Sequence, residues 1–303
     1  MSPVEHVIQA HDGIELISRR FDPDDSARDD RTLVIVHGAS EHGRRYDHVA
    51  RLFAERGWTV IVGDNRGHGR SHGVPMHVRH FSDYLRDLDA VWEHHGLNPA
   101  RTALMGHSFG SLIAARFAET RPDKLAALVM LAPLLRLKVH VNPLLVAWGK
   151  LVSLVAPRTR FESRVDPRDT TRDEVSLIAR EADPLIHRSV TCGWFFEMKA
   201  ALKAVWKETD RILIPVLIAQ GEADRIVDPA VTRPFLEKLP SRDKELRLFP
   251  EHYHELHNEP EWRSIVTGIA EWLEARVGVE APVAPTTATT SEPHSSDHQL
   301  ATA

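Results

Sequence analysis

The sequence predicts an α/β protein in which a mostly parallel β-sheet is covered by helices on both faces and interrupted by one helical insertion. Three observations carry this. Short runs that are apolar throughout, such as residues 33–36 and 59–62, alternate with segments whose apolar residues recur at helical spacing. Strands of that kind are buried on both faces, as in parallel sheets. The alternation stops at Ala132-Pro133 and resumes at Pro215, and Ser108 stands between Gly106 and Gly110 where one strand passes directly into a helix.

In chain order, residues 4–9 and 14–20 are strand-like runs around a turn containing Asp12-Gly13. After a charged loop (D-P-D-D-S-A-R-D-D-R) come a strand at 33–36, a helix at 46–56 stopped by Gly57, and a strand at 59–62. The next helix carries Leu85, Leu88, Val91 and Trp92, with Ser82 as its expected cap. A strand at 102–105 leads through Ser108 into a helix at 109–120, followed by a strand at 126–131. Residues 134–212 read as helices and loops with no buried strand. The alternation then continues with a strand at 215–219, a helix near 230–239, a strand at 245–249 and a helix at 261–276. The expected organisation is a core of residues 1–133 and 213–278, and a helical cap, 134–212, over the carboxyl edge of the sheet, where such folds bind ligands. The tail at 279–303, rich in Pro, Thr, Ser and Ala, cannot build a core and is expected to be disordered.

A chain of 303 residues can bury a large core. Its net charge is −5, of which the tail supplies three acids and no base, leaving about −2 for the rest. That balance gives no electrostatic case for nucleic acid. The single cysteine, Cys192, excludes an internal disulfide and fits a reducing compartment. The start, M-S-P-V-E-H-V-I-Q, lacks the basic and apolar regions of a signal peptide, and no apolar stretch is long enough to span a bilayer. A cytoplasmic protein is expected.

The chemistry centres on Ser108. A strand that reverses into a helix within about one residue strains that residue and leaves no room for side chains two positions away, so glycine fits there. The central side chain is pushed out at the positive end of a helix. Two later loops could supply partners, both at carboxyl ends of predicted strands on the Ser108 edge. The first, A-Q-G-E-A-D-R-I-V-D, offers Glu222, Asp224 and Asp228; Asp224 is placed to reach a shared site, whereas Asp228 precedes Pro229 and reads as a helix cap. The second, F-P-E-H-Y-H-E-L-H, offers His252, His254 and His257, which the sequence alone does not separate. The implied chemistry is acyl transfer, with an imidazole as base and a carboxylate orienting it. The developing oxyanion would meet the N–H of Phe109 and that of Ala39, in the loop V-H-G-A-S.

The stretches V-H-G-A-S-E-H-G-R-R-Y, G-D-N-R-G-H-G-R-S-H-G and G-H-S-F-G resemble the monoacylglycerol lipase and lysophospholipase branch of the α/β-hydrolase superfamily. D-P-L at 183–185, G-E-A-D at 221–224 and Y-H-E-L-H at 253–257 continue the match in the same order. The resemblance implies the α/β-hydrolase fold with a mostly parallel eight-stranded sheet, a triad of Ser108, Asp224 and His254, and an oxyanion hole of Ala39 and Phe109. It also implies that Glu41, Arg45 and His257 lie near the site, bracing the oxyanion loop and the substrate's glycerol end. Phe109 and Ser111 depart from the family's frequent G-x-S-M-G-G, and a bulkier Phe109 is expected to narrow the pocket floor. The expected activity is hydrolysis of single-chain lipid esters, monoacylglycerol or lysophospholipid, without a cofactor. Alternatives are a small-ester, thioester or peptide hydrolase with the same triad, and a ligand sensor that keeps the fold without catalysis.

Other motifs are read as structural. H-E-L-H is one residue short of the zinc spacing H-E-x-x-H, so no metal is expected. G-H-G-R-S-H-G at 67–73 misses the dinucleotide fingerprint and is expected to shape a loop beneath the cap, and Cys192 to be ordinary packing. In the cap, Leu144, Leu145, Trp148, Leu151, Val152 and Val155 form an apolar stripe at helical spacing. The stripe either packs on the body or on another subunit, or lines an acyl tunnel and makes transient contact with membrane surfaces.

Overall fold

The computed structural model describes residues 2–24, 30–138 and 143–278; the expected tail at 279–303 lies outside them. Strands β1 (Val4–Gln9) and β2 (Glu15–Phe21) form an antiparallel hairpin. Then follow β3 (Thr32–Val36), α1 (Asp47–Glu55), β4 (Thr59–Gly63), α2 (Ser82–His95), β5 (Thr102–His107), α3 (Phe109–Thr120) and β6 (Ala127–Leu131). The chain next leaves the sheet for α4 (Pro143–Val155), β7 (Arg160–Glu162), α5 (Glu174–Ala182), β8 (Ser189–Thr191) and α6 (Cys192–Lys207). It returns with β9 (Val216–Gly221), α7 (Thr232–Lys238), β10 (Lys244–Phe249) and α8 (Trp262–Glu274).

The eight-stranded sheet has the order β1-β2-β4-β3-β5-β6-β9-β10 and is parallel from β4 to β10. Its apolar strands feed two cores. Val34, Val36 and Leu104 pack on one face with α2, α3, α6 and α7, while Leu33, Ile35, Ala103 and Met105 pack on the other with α1 and α8. This is the mostly parallel, helix-covered sheet that the apolar runs predict, with the eight strands that the resemblance implies.

Two expectations need correction. Ser82 does not cap α2: it is already helical, its hydroxyl accepts from Arg86, and the preceding Phe81 makes no capping bond through its side chain. The Asp83 carboxylate instead accepts from the N–H of His80. Residues 134–212 are not all helix and loop, because β7 and β8 pair as a short antiparallel ribbon.

The inserted segment lies over the carboxyl ends of the strands. The His187 N–H donates to the Ser40 carbonyl (2.8 Å), the Thr191 N–H to Met76 (3.2 Å), and Leu137 bridges to Val227. His187 Nε2 also meets the Gly67 carbonyl at 3.1 Å, so the glycine-rich loop does lie beneath this segment. The α4 stripe points outward: Leu144, Trp148, Leu151 and Val155 are 55–82% exposed, and Val146 and Gly149 turn inward instead. The side chain of Leu145 lies outside the described residues. Among the described residues, no helix is long and apolar enough to cross a membrane.

Candidate active site

Ser108 sits at φ +52°, ψ −115°, a strained conformation for a residue with a side chain. Its flanking glycines explain how the turn closes. A Cβ on Gly106 would lie 2.3 Å from the Gly110 carbonyl oxygen, and one on Gly110 would lie 2.2 Å from that of Val36. Ser111 adds a tie across the junction, its hydroxyl donating to the carbonyls of Gly106 (2.5 Å) and Leu131 (3.2 Å). The N–H of Ser108 donates to Leu131 (2.9 Å). Phe109 opens α3, so its own N–H has no acceptor within the helix. The Phe109 ring is fully buried, edge-on to Phe81 and Tyr84 and 4.9 Å from Trp194 of α6.

Asp224 and His254 are brought together from the loops after β9 and β10. His254 Nδ1 lies 2.7 Å from Asp224 Oδ2, and both residues are buried. The other carboxylate oxygen accepts from the N–H groups of Ile226 (2.8 Å) and Val227 (3.0 Å), and Gln220 donates to Oδ2 (3.1 Å). Burial alone would raise the Asp224 carboxyl, but the His254 imidazole and these donors outweigh it and hold it below the usual carboxylate range. Burial would lower His254, and Asp224 outweighs that, so the imidazole lies above its ordinary value. Asp228 accepts from the Ala230 N–H (3.0 Å) and pairs with Arg136 at the surface, as expected of a cap. His252 pairs with Glu261 (3.2 Å).

Behind the oxyanion loop lies a buried polar network that the sequence reading only partly anticipates. Glu41 accepts from the N–H of Gly38 (2.7 Å) and from the Tyr46 hydroxyl (2.7 Å), and pairs with Arg45 (3.0 Å). Arg45 also pairs with Glu255, which Arg180 (2.9 Å) and Asn258 (2.8 Å) hold from other sides. Burial opposes the charge on Glu41, but His107 and Arg45 hold it well below the usual range; Arg45 and Arg180 hold Glu255 below it, also against burial. His107 lies against the His254 carbonyl (3.2 Å). His257 stacks on Tyr46 with ring centroids 4.3 Å apart. Glu41, His107 and His257 hold possible ligand atoms within 4.8 Å of one another, yet the Glu41 oxygens are already committed to Gly38, Tyr46 and Arg45. Tyr46, His107, Arg180 and Glu255 were not singled out from the sequence. The one available signal was an acid beside a candidate histidine in Y-H-E-L-H.

Ser108, His254, Ala39, Phe109 and Glu41 all line one cavity of about 1080 Å³. Arg45 and His257 do not line it; they stand behind its wall, where they brace Glu41 and Tyr46. Trp194, Phe195, Phe196 and Met198 of α6, with Leu134 and Val227, give the cavity an apolar surface. Cys192 lies at the start of α6, its thiol donating to the carbonyls of Ala156 (3.5 Å) and Pro157 (3.6 Å).

Comparison with known proteins places the chain in a family. Residues 27–261 match the family described as serine aminopeptidase, S33. The chain is 30% identical to the monoglyceride lipase of Rattus norvegicus over 282 residues, 90% of this chain and 91% of that protein. It is 29% identical to the monoacylglycerol lipase of Mycolicibacterium smegmatis over 274 residues, 89% of this chain and 96% of that protein. The crystal structure of Paleococcus ferrophilus monoacylglycerol lipase superposes with a TM-score of 0.80 at 30% identity, covering 86% of this chain and 99% of that one. The chain belongs to the monoacylglycerol lipase family of α/β-fold serine hydrolases and is a carboxylic ester hydrolase.

Proposed function

We propose that the protein cleaves single-chain lipid esters, monoacylglycerol or lysophospholipid, through an acyl-enzyme on Ser108. His254 takes the Ser108 proton as Oγ attacks the ester carbonyl, then delivers it to the departing alcohol. Asp224 keeps the Nδ1–H of His254 directed toward itself, which leaves Nε2 as the base. The N–H groups of Phe109 and Ala39 receive the oxyanion, each donor contributing about 3–4 kcal/mol at the transition state. Water then repeats the sequence and releases the fatty acid. Residues 134–212 act as the lid of the acyl cavity, and the outward apolar face of α4 meets the lipid surface that presents the substrate.

The observation that carries this reading is the 2.7 Å His254–Asp224 pair, whose imidazole lines the same largely apolar cavity as Ser108. A p-nitrophenyl ester series tests it, with an aminoacyl p-nitroanilide as the peptide-type control. Each buried methylene is worth about 0.8 kcal/mol, or at best roughly fourfold in kcat/KM. Activity is expected to rise from acetate toward medium or long chains and to be negligible on the anilide. A maximum at acetate contradicts the lipid reading.

A further inference from the structure

The fold gathers three histidines at the sheet edge remote from Ser108. His6 lies on β1, the edge strand; His94 and His95 end α2. We propose that these three imidazoles bind one divalent transition-metal ion of the zinc, nickel or copper class, which clamps β1 to α2.

Their ligand atoms all lie within 4.8 Å of one another. His94 Nε2 and His6 Nδ1 are 3.2 Å apart. Two ligands on a tetrahedral zinc with Zn–N bonds of about 2.0–2.1 Å stand about 3.4 Å apart, so this pair already has nearly that spacing. The rings meet edge to face, with centroids 4.8–5.2 Å apart, so that small side-chain rotations converge all three on one point. Ser18 Oγ lies 3.1 Å from His95 Nε2 and fixes that ring, as hydrogen-bond partners of metal-bound imidazoles do.

The surroundings suit a cation. The site lies at the carboxyl end of α2, the negative end of the helix dipole. Arg20, the nearby positive group, is bound to Asp22 (2.8 Å). His94 is exposed and the other two are half-buried, leaving water free to complete the coordination. No sequence spacing signals this set, because its members come from elements 88 positions apart. Strands β2, β4 and β3 separate β1 from β5, so the ion would act on stability and not on ester cleavage.

Calorimetric titration and thermal unfolding of the EDTA-stripped full chain test the proposal, with zinc and nickel as probes and magnesium as control. One ion should bind per chain, and at a hundredfold excess over Kd the Tm should rise by roughly 5 °C, reversed by EDTA. Cobalt should give the visible absorption of a nitrogen-ligated site. The His6→Ala/His94→Ala variant should lose all three effects, and His94→Gln, at an exposed position, provides a milder second test. Replacing the histidines of the 279–303 tail, His294 and His298, by Gln should leave these effects intact. Binding that persists in the His6 and His94 variants, or a Tm that zinc does not raise, overturns the proposal.

Discussion

Ten of the twelve residues of α3 are buried, whereas α5, which contributes Arg180 and Glu181 to the same cavity, buries none of its nine. α3 is packed between β5, β6, α2 and α6, and that packing is what can hold Ser108 in a conformation costing about 1–3 kcal/mol. α4 and α5 instead turn Leu144, Leu151, Val175 and Ile178 to the outside. The contrast separates two tasks. A reacting hydroxyl must be held rigidly, so it stands where neighbours over-determine the backbone. The outward faces of α4 and α5 have little core around them and few contacts to break, as suits segments that move or meet varied surfaces.

Substitutions on either side of this divide should differ by orders of magnitude. Ser108→Ala is expected to lower kcat roughly a millionfold with the circular dichroism unchanged. Asp224→Asn should cost about ten-thousandfold, whereas Asp228→Asn, which disturbs a surface cap, should leave kcat within a few-fold. The reverse order would transfer the acid role to Asp228. The pH profile probes the same pair. Protonated His254 cannot act as a base, and Asp224 raises its pKa, so kcat/KM should fall with decreasing pH through a midpoint above 6.5. Removing the carboxylate in Asp224→Asn should shift that midpoint downward. For stability the signs are linked: His254 contributes fully below its unfolded pKa and loses that contribution as pH rises through the raised folded value. The smallest effect belongs to α4. Trp148→Ser, at a half-exposed position, should change stability by less than about 0.5 kcal/mol and leave soluble-ester turnover intact. It should slow cleavage of a monoacylglycerol presented in vesicles by a few-fold; an equal loss on both substrates would remove the surface-contact role of α4.

The parallel sheet was legible because strands buried on both faces must be apolar throughout, and the serine turn because only glycine tolerates a 2.3 Å approach of backbone at Gly106. What escaped depended on long-range contacts. Three histidines within six residues carry no periodicity, and choosing among them needs the position of Asp224, thirty residues earlier in the chain. The Arg45–Glu255 pair joins residues 210 positions apart. Ser82 failed as a cap because a serine before an amphipathic run fits either the cap or the first turn, and the choice follows how Phe81 packs against Tyr84 and Phe109. The outward face of α4 was ambiguous for a similar reason, since an apolar stripe reports amphipathicity and not which side the rest of the chain covers.

The atom that becomes covalently modified tests the Ser108 acyl-enzyme most directly. Peptide mass mapping after treatment with a fluorophosphonate probe should find the adduct on Ser108 in the wild-type chain, and none in Ser108→Ala. An unlabelled wild type, or an adduct on any other residue, would contradict it.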